Sequence, residues 1–277
     1  MSLYSRVNIE EIAKKTNFTE SYVKNKISYF SKIDLVETQR FKNEYLNVKL
    51  KFMGYDALAL KDLVQKNILK SIGSIVGIGK ESNVYLGTLD NDEECIVKFH
   101  KLGKTRFKST KRKRDFIAGK HHSSKLYESS LNAGREVQAL KELAGFIPVP
   151  RVYGHSRHVI VMQKIDGIEI HKFGHLTEED YLKIFYTIMD YLKITLRAGI
   201  IHGDLSIYNI LISPNNGDFE VYFIDWPQFI RIDHKNSFDT LLVDLNNIYS
   251  YFLKKTNIGT INIEEFGQKL IKQSKIA

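Results

Sequence analysis

A loop that sets a carboxylate five residues before a carboxamide, followed sixteen residues on by a second carboxylate at the end of an apolar strand, leaves few folds open. In this chain the loop is His202-Gly203-Asp204-Leu205-Ser206-Ile207-Tyr208-Asn209, and the strand end is Ile224-Asp225-Trp226-Pro227. Asn209 and Asp225 offer the hard oxygen ligands that suit Mg2+, and Asp204 is placed to act as a base or orienting carboxylate beside a transferred phosphoryl group. Phosphoryl transfer passes through a loose transition state that asks for positioning and charge neutralisation more than covalent help, so such a small set of groups suffices. His202 reads as a structural brace rather than an acid or base.

Two upstream features fit the same chemistry. Gly77-Ile78-Gly79-Lys80-Glu81-Ser82 lies on a strand-to-strand turn where glycines let backbone N–H groups approach phosphates, although Ser82 stands where a third glycine would complete the usual pattern. Lys98, in the apolar run Ile96-Val97-Lys98-Phe99, is the expected contact to the α and β phosphates, with Glu136 on the following helix as its ion-pair partner. Alone, the first is also a common glycine hairpin and the second an edge lysine reaching for water. The downstream loop and strand decide between the readings.

The 277 residues allow one large or two modest domains, and the single cysteine, Cys95, excludes an internal disulfide and a cysteine metal site. No apolar run approaches the roughly 18 residues of a membrane helix. With no apolar core behind a basic N-terminus, the expected location is the cytoplasm, with the nucleus as a second compartment. The net charge of +9 is uneven: residues 101–125 hold ten Lys or Arg against one Asp, and residues 1–70 hold thirteen against eight acids. That distribution suggests a polyanionic partner.

Residues 8–70 read as helix, turn, helix and hairpin, with Thr19 as N-cap of the second helix, which is winged-helix order. The alternative is a helical extension that only packs on its neighbour. ALALKDLVQKNILKSIG predicts a linking helix ending near Gly73, and β-like runs from Ser74 onward open a second domain with an acidic hairpin turn at Leu89–Glu94. A long helix starts at Thr177 and is closed by Gly199. The expected division is 1–70, 71–255 (lobes 71–162 and 166–255) and a tail, 256–277, that looks like a short helix with no readable function.

The strings GIGKES, IVKFHKLGKTRF, KRDF, FIPVP, IHGDL and IDWPQ together resemble the RIO family of atypical kinases, and GYDALALKDL leading into GIGKES resembles its second subfamily, which carries an N-terminal winged helix. The resemblance runs from about residue 8 to 255. It implies an α+β, two-lobed, protein-kinase-like fold with a five-stranded N-lobe sheet, ATP and Mg2+ as ligands, and a role in maturation of the small (40S) ribosomal subunit, with the pre-40S particle and its rRNA as partners. It implies Gly77, Gly79, Lys80 and Ser82 over the phosphates, Lys98 on the α and β phosphates, a hinge from Met162 to Ile165 beside adenine, Asp204 as catalytic, and Asn209 and Asp225 as Mg2+ ligands. Two residues depart from the pattern: Trp226 stands where the family commonly has Phe, and Gln163 where the subfamily has Glu. The winged helix is short, because little chain precedes Asn8.

About a dozen residues separate Asp225 from the next helical run, and no Ala-Pro-Glu motif appears, so a peptide platform is not expected. With the family's switch-like behaviour, this points to ATP hydrolysis through a transient acyl phosphate on Asp225, as an atypical serine/threonine kinase or ATPase. An ATP-gated RNA-binding assembly factor with little need of catalysis is the competing reading; a conventional kinase or a small-molecule phosphotransferase shares the His-Gly-Asp loop but not the basic N-terminal module. Lys111, Arg112, Lys113 and Arg114 are the RNA-contact candidates, against the plainer reading of a solvated loop.

Overall fold

The computed structural model describes residues 6–40, 46–101, 125–174, 176–215 and 218–274. The N-terminal module begins with β1 (Val7–Asn8), α1 (Ile9–Thr16) and α2 (Glu20–Lys32), followed by the hairpin β2 (Val36–Arg40) and β3 (Leu46–Leu50). Asn8 and Thr19 accept hydrogen bonds from the backbone N–H groups of Glu10 and Tyr22, which fixes both helix starts. Asn17, at φ 58°, turns the chain between them. The strands form a sheet in the order β1-β3-β2, and Ile9, Ala13, Val23, Ile27, Val36 and Val48 make a separate small core. This is the strand, two helices and hairpin of a winged helix, with no helix before β1 among the described residues.

The next helix, α3 (Phe52–Gln65), is shorter than the expected linker, and β4 (Leu69–Ile78) follows at once. Asn67 adopts φ 53°, which ends the helix, and the alternating run from Leu69 pairs with β5 (Ser82–Leu89), Leu69 lying opposite Leu89. Gly73 therefore lies inside a strand rather than closing a helix. Gly54 lets α3 start against the hairpin: a Cβ there would sit 2.3 Å from the Leu35 carbonyl oxygen.

With β6 (Glu94–His100), β7 (Val152–Ser156) and β8 (Val159–Gln163), β4 and β5 form an antiparallel five-stranded sheet in the order β4-β5-β6-β8-β7. Its outer face is covered by α3, through Ala59 and Leu63 against Leu69, Cys95, Val97, Val159 and Val161. Its inner face meets α4 (Lys125–Leu143). The C-terminal lobe contains β9 (Ile168–Glu169), α5 (Glu178–Arg197), β10 (Ile200–Ile201), β11 (Ile210–Asn215), β12 (Asp218–Phe223), β13 (Ile230–Arg231) and α6 (Ser237–Phe252). Thr177 and Asp180 form a reciprocal capping box at the start of α5, and Gly199, at φ 74°, turns the chain after it.

One apolar core runs from Val137 and Leu140 on α4, through Ile160 and Met162, to Ile188 on α5 and Ile248 on α6. The last helix, α7 (Ile263–Ser274), belongs to it: Leu270 is buried, and Gly267 lies against Leu242, Phe238 and Leu245. The tail is thus the short helix its sequence suggests, and it completes the packing of the lobe.

Candidate active site

Lys98 lies on β6, the central strand of the sheet, where flanking apolar residues hold its side chain in the interior at 6% exposure. Its Nζ sits 2.7 Å from Glu136 Oε1 on α4 and 2.7 Å from Asp225 Oδ1 in the other lobe. Burial alone would push the lysine pKa down, but Asp225 and Glu136 reverse that and carry it up. Burial would raise Glu136, and Lys98 and His100 hold it below the usual carboxylate range instead. One lysine therefore bridges two carboxylates across the cleft.

Asp225 has φ 66°, left-handed backbone that Asp tolerates better than most residues, and its side chain is 37% exposed. The packing below it explains Trp226. That indole is fully buried, donates from Nε1 to the Phe223 carbonyl at 3.1 Å and lies 4.3 Å from the His202 ring. A larger ring in place of Phe is accepted because its one polar atom has a partner.

His202 is a brace, as its sequence context suggests: Nε2–H donates to the Ile224 carbonyl at 3.0 Å, and burial pushes its pKa down to about 4 from 6.5. The unfolded chain then binds a proton that the folded chain refuses. Stability should fall as pH drops from 6.5 towards 4, by roughly 3 kcal/mol over the window, and not above it. Urea unfolding across that range should show the slope, and His202→Gln should remove it.

Asn209 is buried, with Nδ2 donating to the Asp204 carbonyl at 2.8 Å and lying 3.4 Å from Asp204 Oδ2, while Asp204 itself is exposed to the cleft. Ile224 N–H donates to the Asn209 carbonyl at 3.0 Å, which joins the loop to the strand end carrying Asp225. The loop is held by a residue the sequence reading did not single out. Asp244 on α6, fully buried, accepts from Gly203 N–H at 2.8 Å and Leu205 N–H at 2.9 Å. Gly203 has φ 81°, and a Cβ would meet the Gln228 carbonyl oxygen at 2.4 Å, so only glycine fits.

The glycine turn is where the sequence puts it, but its backbone is partly used internally. Gly79 N–H donates to the Ser82 carbonyl at 2.8 Å and Lys101 N–H to the Glu81 carbonyl at 2.7 Å; Gly77 pairs with Val84, and Lys80 is exposed at the tip. At the hinge, Met162 is buried in the core, and Gln163 N–H donates to the Arg151 carbonyl at 2.8 Å, which leaves Lys164 and Ile165 as the segment crossing between lobes. The Gln163 side chain accepts from Arg151 N–H at 3.2 Å, a structural role. Two further residues escaped the sequence reading. Arg135 donates to the Phe229 carbonyl, and Arg231 makes paired 2.7 Å hydrogen bonds to Glu142, so α4 is fastened to the segment after Asp225 at both points.

A family model described as "RIO domain" matches residues 83–266, and a second, described as "Rio2, N-terminal", matches residues 1–66. The chain belongs to the RIO kinase family. It is 37% identical over 251 residues to the RIO-type serine/threonine-protein kinase Rio2 of Methanocaldococcus jannaschii, covering 90% of each chain. To the serine/threonine-protein kinase RIO2 of Saccharomyces cerevisiae it is 29% identical over 243 residues, covering 86% of this chain but 56% of that longer one. Among solved structures, the Rio2 kinase of Chaetomium thermophilum superposes with a TM-score of 0.77 at 26% identity, covering 91% of this chain and 77% of that one. A Rio2 kinase-ADP/Mg2+-phosphoaspartate complex from the same organism also gives 0.77, at 24% identity, covering 94% and 81%. This RIO chain is thus a two-lobed α+β kinase, with Lys98, Glu136, Asp204, Asn209 and Asp225 around one cleft. The RNA-contact candidates Lys111, Arg112, Lys113 and Arg114 lie outside the described residues.

Proposed function

We propose that this chain binds ATP with Mg2+ in the cleft between its lobes and passes the γ-phosphoryl group to Asp225, working as an atypical serine/threonine kinase or ATPase in maturation of the small ribosomal subunit. The observation that carries this is the position of Lys98, a buried cation held at 2.7 Å between Glu136 and Asp225. An ammonium poised between lobes is ready to exchange one carboxylate for phosphate oxygens when nucleotide enters.

The donor set fits Mg2+. Asn209 spends its amide N–H on Asp204, so its oxygen is the atom left to face a metal, and Asp225 adds a carboxylate oxygen. Two protein oxygens with the rest from phosphate and water is the arrangement this ion favours. When bound, it would neutralise phosphate charge. The chain's own part is orientation: Lys98 holds the α and β phosphates, Glu136 holds Lys98, and Asp204 faces the open cleft.

Transfer to Asp225 forms a bond from a carboxylate oxygen to the γ-phosphorus and breaks the bond to the β-phosphate oxygen, releasing ADP. Water then takes the phosphoryl group, restoring the carboxylate and giving inorganic phosphate. A phosphoaspartate in the Chaetomium relative supports this reading. For the ribosomal partner, support comes from the basic run 101–125 and from exposed aromatics around α2, Phe18 just before it and Tyr22 and Tyr29 on it, with Lys26 5.3 Å from the Tyr22 ring.

Incubation with γ-labelled ATP and Mg2+ should give free phosphate and a protein label that hydroxylamine removes. Asp225→Asn should abolish both. Phosphoserine or phosphothreonine as the sole labelled product would refute the aspartyl route.

A further inference from the structure

Glu136 is 1% exposed and turns only one oxygen to Lys98. Its other oxygen, Oε2, has no water to meet and faces the ring of His100, also 1% exposed, with Nε2 at 2.7 Å. At that distance the imidazole is the group placed to serve Oε2, and no other hydrogen-bond partner reaches either atom among the described residues. His100 itself is anchored: its N–H donates to the His158 carbonyl at 2.9 Å, and the His158 ring contacts Asp56 of α3 at 2.6 Å.

Resting on the nucleotide site described above, we propose that His100 is a positioning residue for the phosphate-binding lysine, acting through Glu136. Two carboxylates hold Lys98. With Asp225 serving a metal and phosphates drawing on Lys98, Glu136 would be the lysine's remaining anchor, and a buried carboxylate with one oxygen unmet would be a poor one. An imidazole donor at Oε2 fixes the carboxylate's rotation and so the point to which Lys98 is tied. Because Lys98 meets phosphates and not adenine, the effect should be confined to the charged end of the nucleotide.

The test compares binding of ATP and of adenosine, both with Mg2+, to the full chain and to His100→Phe, His100→Leu, His100→Gln and Lys98→Met, with melting curves for each. The two donor-free variants, or whichever of them folds, should bind ATP about tenfold more weakly, the equivalent of one hydrogen bond to a charged group, with adenosine affinity unchanged. His100→Gln, whose amide nitrogen can occupy the place of Nε2, should stay within about twofold of the parent. ATP affinity unchanged in the donor-free variants, or lost equally in His100→Gln, overturns the proposal. So does an equal loss for adenosine, which marks a collapsed lobe. Lys98→Met separates the two layers: if it loses ATP affinity while the donor-free variants do not, only the role of His100 fails, whereas ATP binding at parental strength in Lys98→Met removes the nucleotide-site reading and this proposal with it.

Discussion

Asp244→Ala is expected to cost about 3–5 kcal/mol of stability and to stop turnover while ATP still binds. The carboxylate is fully buried and accepts the N–H groups of Gly203 and Leu205, the two neighbours of Asp204. Each N–H left buried without an acceptor costs roughly 1–3 kcal/mol, and no water can replace Asp244 in that space without a cavity to hold it. With both ties gone, Asp204 and the Asn209 that leans on it lose their place. Lys98 and the glycine turn lie in the other lobe and are untouched. The kinetic sign is therefore a fall in kcat of at least about a hundredfold with little change in KM for ATP. Asp244→Asn keeps one acceptor and should fall between the two. Normal turnover in a folded Asp244→Ala protein would show that the loop holds its shape unaided.

Asp244 also shows where a sequence stops being legible. Lys98, Asp204, Asn209 and Asp225 stand in short strings whose local order and spacing carry chemical meaning, so each could be named from the chain alone. Asp244 sits in an ordinary amphipathic run, FDTLLVDLNN, and becomes informative only once folding sets it against a loop some forty residues away. Arg135 and Arg231 are alike in this: their partners, Phe229 and Glu142, are distant in sequence. The misread helix end has a different cause. KNILKSIG keeps a helical period, and the break comes from the left-handed turn at Asn67 and from pairing with β5, neither of which periodicity detects. Trp226, opaque as a substitution, is explained by two contacts of a buried indole, the Phe223 carbonyl and the His202 ring. The tail is legible as a short helix, but no sequence sign tells that Gly267 lets it pack closely on α6.

The largest effect on fold and chemistry together is expected at Lys98. Lys98→Met should remove turnover and also destabilise the chain by about 3–5 kcal/mol at pH 7, because Glu136 is left charged and dry. Asp225 suffers less, since it is 37% exposed and can turn to water. The two losses can be separated. In the parent, Glu136 is held below its usual range, so its contribution to stability is present above the unfolded value of 4.5 and fades as pH falls below it. In Lys98→Met the opposite shift is expected: burial raises Glu136, the folded chain binds the proton first, and the deficit against the parent shrinks as pH falls. The two stability curves should converge on the acid side. Adding Glu136→Gln to Lys98→Met should recover most of the lost stability at pH 7, because the buried charge is gone, and should recover none of the turnover, because no cation remains to meet the phosphates. Denaturant unfolding of the parent, the single variant and the double variant at pH 5 and pH 7, beside phosphate release from ATP, reads both. If the double variant is no more stable than Lys98→Met, the uncompensated carboxylate is not what the lysine guards against; if it regains turnover, the positive charge on Lys98 is not what the phosphates require.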